Sequence, residues 1–386
     1  MPKLEVTIQP AVLDWIMQQS SADEAVFPDI VDTLQAWRTG TAKPTFHKVE
    51  EISKKTRIPF GYFFMARPPV ETNPLAEYRT IGSSAAPPAS RNLLDTIDAM
   101  LDVQGWMADF YKENGYSKLP FVGRFEGNRD KKTLIRDILE VLTLSPQWYQ
   151  EVKDIPSAFK LLREKTESVG ILVMMSGTVR GNTHRKLMLS EFRAFTLING
   201  HAPLIFINAA DAWAGRLFSL MHEIVHIWIG RGSLFNELPS HQKAISSDEQ
   251  FCNAIAAEVL VPEKDFEERW KTTVGRLMDK VEALAKYFKC SRFVVARRAL
   301  DHHYMTHEEY AELSQAFQKK WDENDKKSKG GGNYYKTLQS RFDRNFIRAL
   351  ASSVWSGTTQ YTDAYRLTDV WGKSFEKLVE MTREAR

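Results

Sequence analysis

A chain of 386 residues is long enough for two or three domains. It is 43% hydrophobic and 26% charged, as a soluble globular protein is, and its net charge of +3 excludes a globally basic nucleic-acid binder, so any basic patch must be local. Two cysteines exclude a disulfide framework and suit a reducing compartment; no apolar run approaches the roughly 20 residues that span a bilayer. With no signal-peptide core in MPKLEVTIQPAVLDW, a cytoplasmic protein without membrane association is expected.

Residues 1–66 read as helical. VLDWIMQQ and IVDTLQAW carry apolar residues at helical spacing, GTAKPT (40–45) is a turn, and FHKVEEISKKT is a helix stopped before Pro59. The Pro-rich break RPPVETNP (67–74) marks a domain boundary, and SSAAPPAS (83–90) is a second loop. SRNLLDTIDAMLDVQGWMADFYKE is a long amphipathic helix with Ser90 or Asn92 as its cap; TLIRDILEVL and AFKLLREKTESV are further helices. GILVMMSG (170–177), FRAFTLING (192–200) and PLIFINA (203–209) then read as strands of one small sheet. Helices return at 248–262, ended by Pro262, and at 277–304, where two helices flank a short turn. NDKKSKGGGN (324–333) is a charged, Gly-rich linker. Residues 334–386 form a helical tail whose aromatics, Tyr334, Tyr335, Phe342, Phe346, Trp355 and Trp371, read as a small core and alternatively as a contact surface.

Between the strands and the second helical region lies GRLFSLMHEIVHIWIG (215–230). Wound at about 100° per residue, it puts Gly215, Ser219, His222, His226 and Gly230 on one stripe, with Glu223 at its edge. Apolar side chains cover the rest of the circumference, so the helix is buried nearly all round. Two imidazoles four residues apart can grip one metal ion, and a glutamate beside the first can reach a metal-bound water. A catalytic site of this kind needs a third protein ligand. SSDEQFCNAIAAEVLVP offers Glu249, with Asn253 one turn on as a residue that could orient His222; Asp248, Glu263 and His241 compete for the ligand role. Cys252 and Cys290 read as small core residues.

HEIVH, followed by ExxxN leading into AAEVLVP, resembles the ImmA/IrrE-type zinc metallopeptidases, which are gluzincin-like. EFRAFTLI (191–198), RLFSLMHEIVH and VEALAKYFKCSRFVVARRAL are similar to segments around the motif in that family. LQAWRTGTAKPTFHKVEEISKKTRIPFGYFFMARPP resembles the end of an Xre-type helix-turn-helix domain, and GGNYYKTLQSRFDRNF a C-terminal element of the long regulators of this type. The resemblance implies Zn2+ held by His222, His226 and Glu249, Glu223 as general base, and a partner protein, a repressor or toxin encoded nearby, that is cleaved or antagonised. The alternative is an antitoxin or DNA-associated regulator that keeps the zinc fold as a scaffold without proteolysis. His184, His241 and several tyrosines are candidates for stabilising the oxyanion.

The N-terminal pattern departs from the Xre type. SSADEAVFPD replaces the first helix of the reading pair, and Asp23, Glu24, Asp29 and Asp32 would repel phosphates, so DNA binding there is weakened and a dimerising role becomes as attractive. A second helix-turn-helix candidate at 281–300 has Lys286, Lys289, Arg292, Arg297 and Arg298 nearby as the residues that would touch DNA. The expected architecture is α+β and predominantly helical. It comprises a degenerate Xre-like domain (1–66), a zincin-like core with a small sheet (75–270), a helix-turn-helix-like segment (271–323) and a helical tail (334–386).

Overall fold

The computed structural model describes residues 4–20, 27–69, 89–235, 247–325 and 334–384. The chain divides into two compact units, Met1–Asp98 and Ala99–Arg386. The first holds three helices, α1 (Pro10–Ser20), α2 (Phe27–Thr39) and α3 (Phe46–Thr56), followed by a 3₁₀ turn over Phe60–Phe64. Pro10 begins α1, where its missing N–H costs nothing. Val12 and Ile16 from α1, Leu34 and Trp37 from α2, and Ile52 from α3 close a small core over Phe63. Asp32 is exposed on α2; Asp23 and Glu24 and most of the 67–74 break lie outside the described residues.

A fourth helix, α4 (Arg91–Glu113), matches the expected long helix, and the Ser90 hydroxyl caps it by accepting from the Leu93 N–H at 3.2 Å. The division between the units falls within α4, not at the Pro-rich break.

The second unit is built on a four-stranded sheet. β1 (Leu172–Ser176), β2 (Ala194–Leu197) and β3 (Leu204–Asn208) fall where the apolar runs predicted them. A short β4 (Ser233–Phe235) was not foreseen. The order is β1-β3-β2-β4; β1 runs parallel to β3, and the β3–β2 and β2–β4 pairs are antiparallel. β2 and β3 are buried along their whole length, which explains runs of apolar residues where a half-exposed strand would alternate. Helices α5 (Lys131–Val141), α6 (Ile155–Ser168) and α7 (Trp213–Ile229) share the core of one face. On the other face Phe195 stacks on Phe206, and Gln104 of α4 donates to the Leu197 and Ala202 carbonyls at 2.8 and 3.0 Å.

Four further helices continue the same hydrophobic core: α8 (Ser247–Leu260), α9 (Glu263–Thr272), α10 (Leu277–Phe288) and α11 (Arg292–Asp301). α12 (His307–Asp325) adds Leu313 and Phe317 to that core. The segment read as separate from residue 271 onward is therefore packed into the core of the sheet region, because Val281, Leu284, Phe288 and Val295 all turn inward. The expected linker lies largely outside the described residues.

The tail forms α13 (Tyr334–Arg341), α14 (Arg344–Trp355), α15 (Tyr361–Thr368) and α16 (Lys373–Glu384). Of its aromatics, Phe342 and Phe346 are buried, whereas Tyr334, Tyr335, Trp355 and Trp371 are exposed. Its junction with the sheet is polar and buried. β1 is an edge strand, and Val173 turns its N–H and C=O away from β3. The Asp343 carboxylate accepts that N–H at 3.2 Å, and Arg163 of α6 donates to that carbonyl at 2.9 Å. Arg163 also donates to the Ser340 and Phe342 carbonyls, and Asp343 caps α14 through the Phe346 N–H.

Burial, aided by the nearby Glu167 carboxylate, pushes the Asp343 carboxyl up from 3.8 to about 7, against the pull of Arg163 and its two backbone donors. The folded chain therefore keeps a proton that the unfolded chain releases. The associated stability is full below the unfolded value and is lost as pH rises through about 7. Asp343→Asn retains an acceptor and removes the titration. Between about pH 5 and about pH 8 the wild type should lose on the order of 2–3 kcal/mol more stability than Asp343→Asn, measured by urea unfolding at both pH values. Parallel pH profiles would contradict this.

Candidate metal centre

α7 is buried from Leu217 to Ile229 apart from Phe218, as the apolar circumference of its sequence requires. It packs against α6, α8, β2 and β3. Both ends are fixed by glycines. At Gly215 a Cβ would collide with the Asp211 carboxylate, which is buried and paired with Arg193. The small-residue stripe is thus filled by Asp211 at this end. Gly230 ends the helix at φ +68°, and a Cβ there would lie 2.9 Å from the Gly123 Cα.

Between these ends the two histidines turn the same way. His222 Nε2 and His226 Nε2 lie 3.0 Å apart. Glu249, in the first turn of α8, brings Oε2 to 3.1 Å from His222 Nε2 and Oε1 to 3.4 Å from His226 Nε2. Ligand atoms on a tetrahedron with bonds of ~2.1 Å stand about 3.4 Å apart, so the separations suit one zinc-sized ion. The imidazoles are 0% and 2% exposed and the Glu249 side chain 29%, so the trio opens to solvent on the α8 side. Phe235 of β4 lies against the His222 ring, centroids 4.1 Å apart.

The electrostatics favour a positive charge between these groups. Burial alone would lower the His226 pKa, but Cys252, Glu249 and Glu223 beside it raise it well above the ordinary imidazole range. Burial alone would raise the Glu249 carboxyl, yet hydrogen bonding to His222 and His226 holds it well below the usual carboxylate range. A divalent cation would satisfy the same need with both imidazoles neutral.

Glu223 is fully buried. Its Oε2 accepts from the Thr196 hydroxyl of β2 at 2.5 Å and from the Ser233 hydroxyl of β4, while among the described residues Oε1 has no hydrogen-bond partner. One oxygen is tethered and the other is available, the arrangement a general base requires.

Among the other ligand candidates, Asp248 faces Arg129 and Arg231, and Glu263 lies 3.8 Å from His302. His241 is outside the described residues. His302 also lies 3.4 Å from Glu267, but its two ring nitrogens meet different carboxylates, a geometry that serves ion pairing better than one shared ion. The orienting role expected of Asn253 is not met: among the described residues, His222 Nδ1 has no hydrogen-bond partner. Cys252 fills core as expected and in addition interacts with His226, placing the i+3 residue after Glu249 beside the pair.

The candidate DNA contacts divide. Arg298 is turned inward, donating to the Val261 carbonyl at 3.1 Å and pairing with Glu258, so it is removed from any DNA-facing set. Arg292 and Arg297 are exposed but pair with Glu282 and Asp301. Lys286 is exposed, and Lys289 is half-buried with its ammonium on the Lys286 carbonyl. His184 is exposed. Thr196 and Ser233 were missed because they come from two strands and leave no spacing pattern around HEIVH.

Residues 166–300 match the family described as IrrE N-terminal-like domain (Peptidase_M78), and residues 342–381 match a domain of unknown function (DUF8813). The first match contains β1 to α11 with the whole His222, His226 and Glu249 trio; neither includes residues 1–66. No curated protein and no solved structure matches the chain. Among the described residues, no helix is long and apolar enough to cross a membrane.

His222→Ala, His226→Ala and Glu249→Ala should each weaken zinc binding on the order of 100-fold, while Glu223→Gln should leave one zinc per chain. Competition with a chromophoric chelator measures both. Undiminished affinity after loss of either histidine would remove the trio as the metal site.

Proposed function

We propose that this protein is a zinc-dependent endopeptidase that acts on one partner protein, a repressor or toxin encoded nearby. The observation that carries the reading is the pairing of three convergent ligand atoms with a buried glutamate that has one oxygen tethered and the other without a hydrogen-bond partner among the described residues. The similarity of residues 166–300 to a peptidase family supports it.

Zinc, when bound by His222, His226 and Glu249, supplies the Lewis acidity that polarises the scissile carbonyl and activates water. Glu223 Oε1 takes a proton from the attacking water and returns it to the leaving amine. The Thr196 and Ser233 hydroxyls keep Oε2 fixed, so the carboxylate does not have to be reoriented during the reaction. Phe235 sets the plane of the His222 ring. Restriction to one partner is supported by how much of the chain lies outside the matched peptidase segment, including the helical unit at the start and the four tail helices. Such surfaces can supply docking energy that positions one scissile loop. DNA contact is at most weak and salt-dependent, through Lys286, Lys289, Arg292 and Arg297.

Purified wild type and Glu223→Gln are to be incubated with casein and with the neighbouring gene product. Cleavage of the neighbour should fall by about 10²–10⁴-fold in Glu223→Gln, with zinc retained and casein intact. Binding of the neighbour without cleavage, unchanged by the substitution, would favour the antitoxin or DNA-associated scaffold. Glu223-dependent digestion of casein alone would refute the single-partner reading.

A further inference from the structure

The two hydroxyls on Glu223 have a role that extends the zinc reading and rests on it. Glu223 follows His222 directly in α7, and helical winding sets it at the edge of the stripe that carries both histidines. A carboxylate at the edge of such a stripe is a competent ligand in its own right once it turns onto the ion. Were it to rotate onto the ion, it would bind in addition to the three ligands and the water, raising the coordination above four, and would cease to be a base. Something must therefore prevent that rotation.

We propose that Thr196 and Ser233 are positioning residues that hold Glu223 off the metal and thereby keep it a base. The geometry supports this on three counts. Both hydroxyls meet the same oxygen, Oε2, and none meets Oε1, so they fix the rotation of the carboxylate and do not simply solvate it. Thr196, Ser233 and Glu223 are each 1% exposed or less, so no solvent competes for these bonds. The donors sit opposite one another on paired strands, Thr196 of β2 against Ser233 of β4, so the sheet itself sets their spacing.

β4 consequently touches the site twice, through Ser233 on the base and Phe235 on the first ligand. A displacement of this three-residue edge strand would disturb the base and a ligand together.

The test uses cobalt(II) as the probe, because its visible absorption weakens when coordination rises above four. The full-length wild type should bind cobalt(II) with the intense bands of a four-coordinate site. Thr196→Val with Ser233→Ala should bind it with a several-fold loss of band intensity as Glu223 joins the ion. Adding Glu223→Ala to that pair should restore the wild-type intensity, and Thr196→Ser alone should keep it. Far-UV circular dichroism and thermal melts check that each variant is folded, and Thr196→Ser supplies the conservative control. An unchanged spectrum in the folded double variant would overturn the proposal. So would an altered spectrum that persists after Glu223 is removed. Failure of the wild type to bind cobalt(II) is a different result: it would strike the metal reading itself, and this inference with it.

Discussion

Placing two imidazoles and a carboxylate on successive turns of an apolar helix is the constraint to which the second unit is fitted. Uncompensated, each buried charge costs several kcal/mol, so such a helix is stable only if its neighbours arrive with matching groups. They do. α8 brings one carboxylate to the two ring nitrogens, and β2 and β4 bring one hydroxyl each to the glutamate. α8, β2 and β4 each contribute a group that α7 itself lacks. The small sheet is therefore part of the site and not merely a floor under it.

Such a site needs α7 held along its axis as well as around it. At the N-terminal end, Arg216 donates to the Asp211 carbonyl at 2.7 Å while Arg193 pairs with the Asp211 carboxylate. At the C-terminal end, the Gly123 and Phe125 N–H groups take the Ile227 and Trp228 carbonyls, each at 2.9 Å. Trp228 reaches sideways to Asp137 and stacks on Phe121. The orphan carbonyls of the last turn are thus satisfied by a neighbouring loop, in addition to the helix's own cap. A shift of even one residue along α7 would break these bonds and the ligand geometry together.

Much of this was legible in the sequence, and unevenly so. The stripe on α7 could be read because helical winding is a local rule, and Glu249 because the third ligand had to come from a following helix. The three longer strands showed as apolar, β-branched runs because they are buried on both faces. β4 is three residues long and carries no pattern of that length. The partners of Glu223 depend on strand register, which no spacing around HEIVH encodes. Arg298 belonged to a plausible basic cluster, but whether an arginine faces water or a half-buried carboxylate is decided by packing, and here Glu258 decides it. Asn253 and Cys252 differ by one position on α8, and a rotation of about 100° separates the face that meets His226 from the one expected to orient His222.

The Val173 backbone shows what the tail does for the sheet. Its N–H and C=O are taken by Asp343 and Arg163, and Arg163 is in turn anchored by carbonyls of the tail at Ser340 and Phe342. A chain shortened to end before Tyr334, the natural choice for isolating the peptidase-like part, would lose Asp343 and two of the anchors of Arg163. The strand edge so uncovered carries Leu172, Val173, Met174 and Met175, an apolar run with unsatisfied backbone groups. Such an edge invites the same edge of another molecule. The shortened protein would then be lost to self-association before any question about its chemistry could be asked of it.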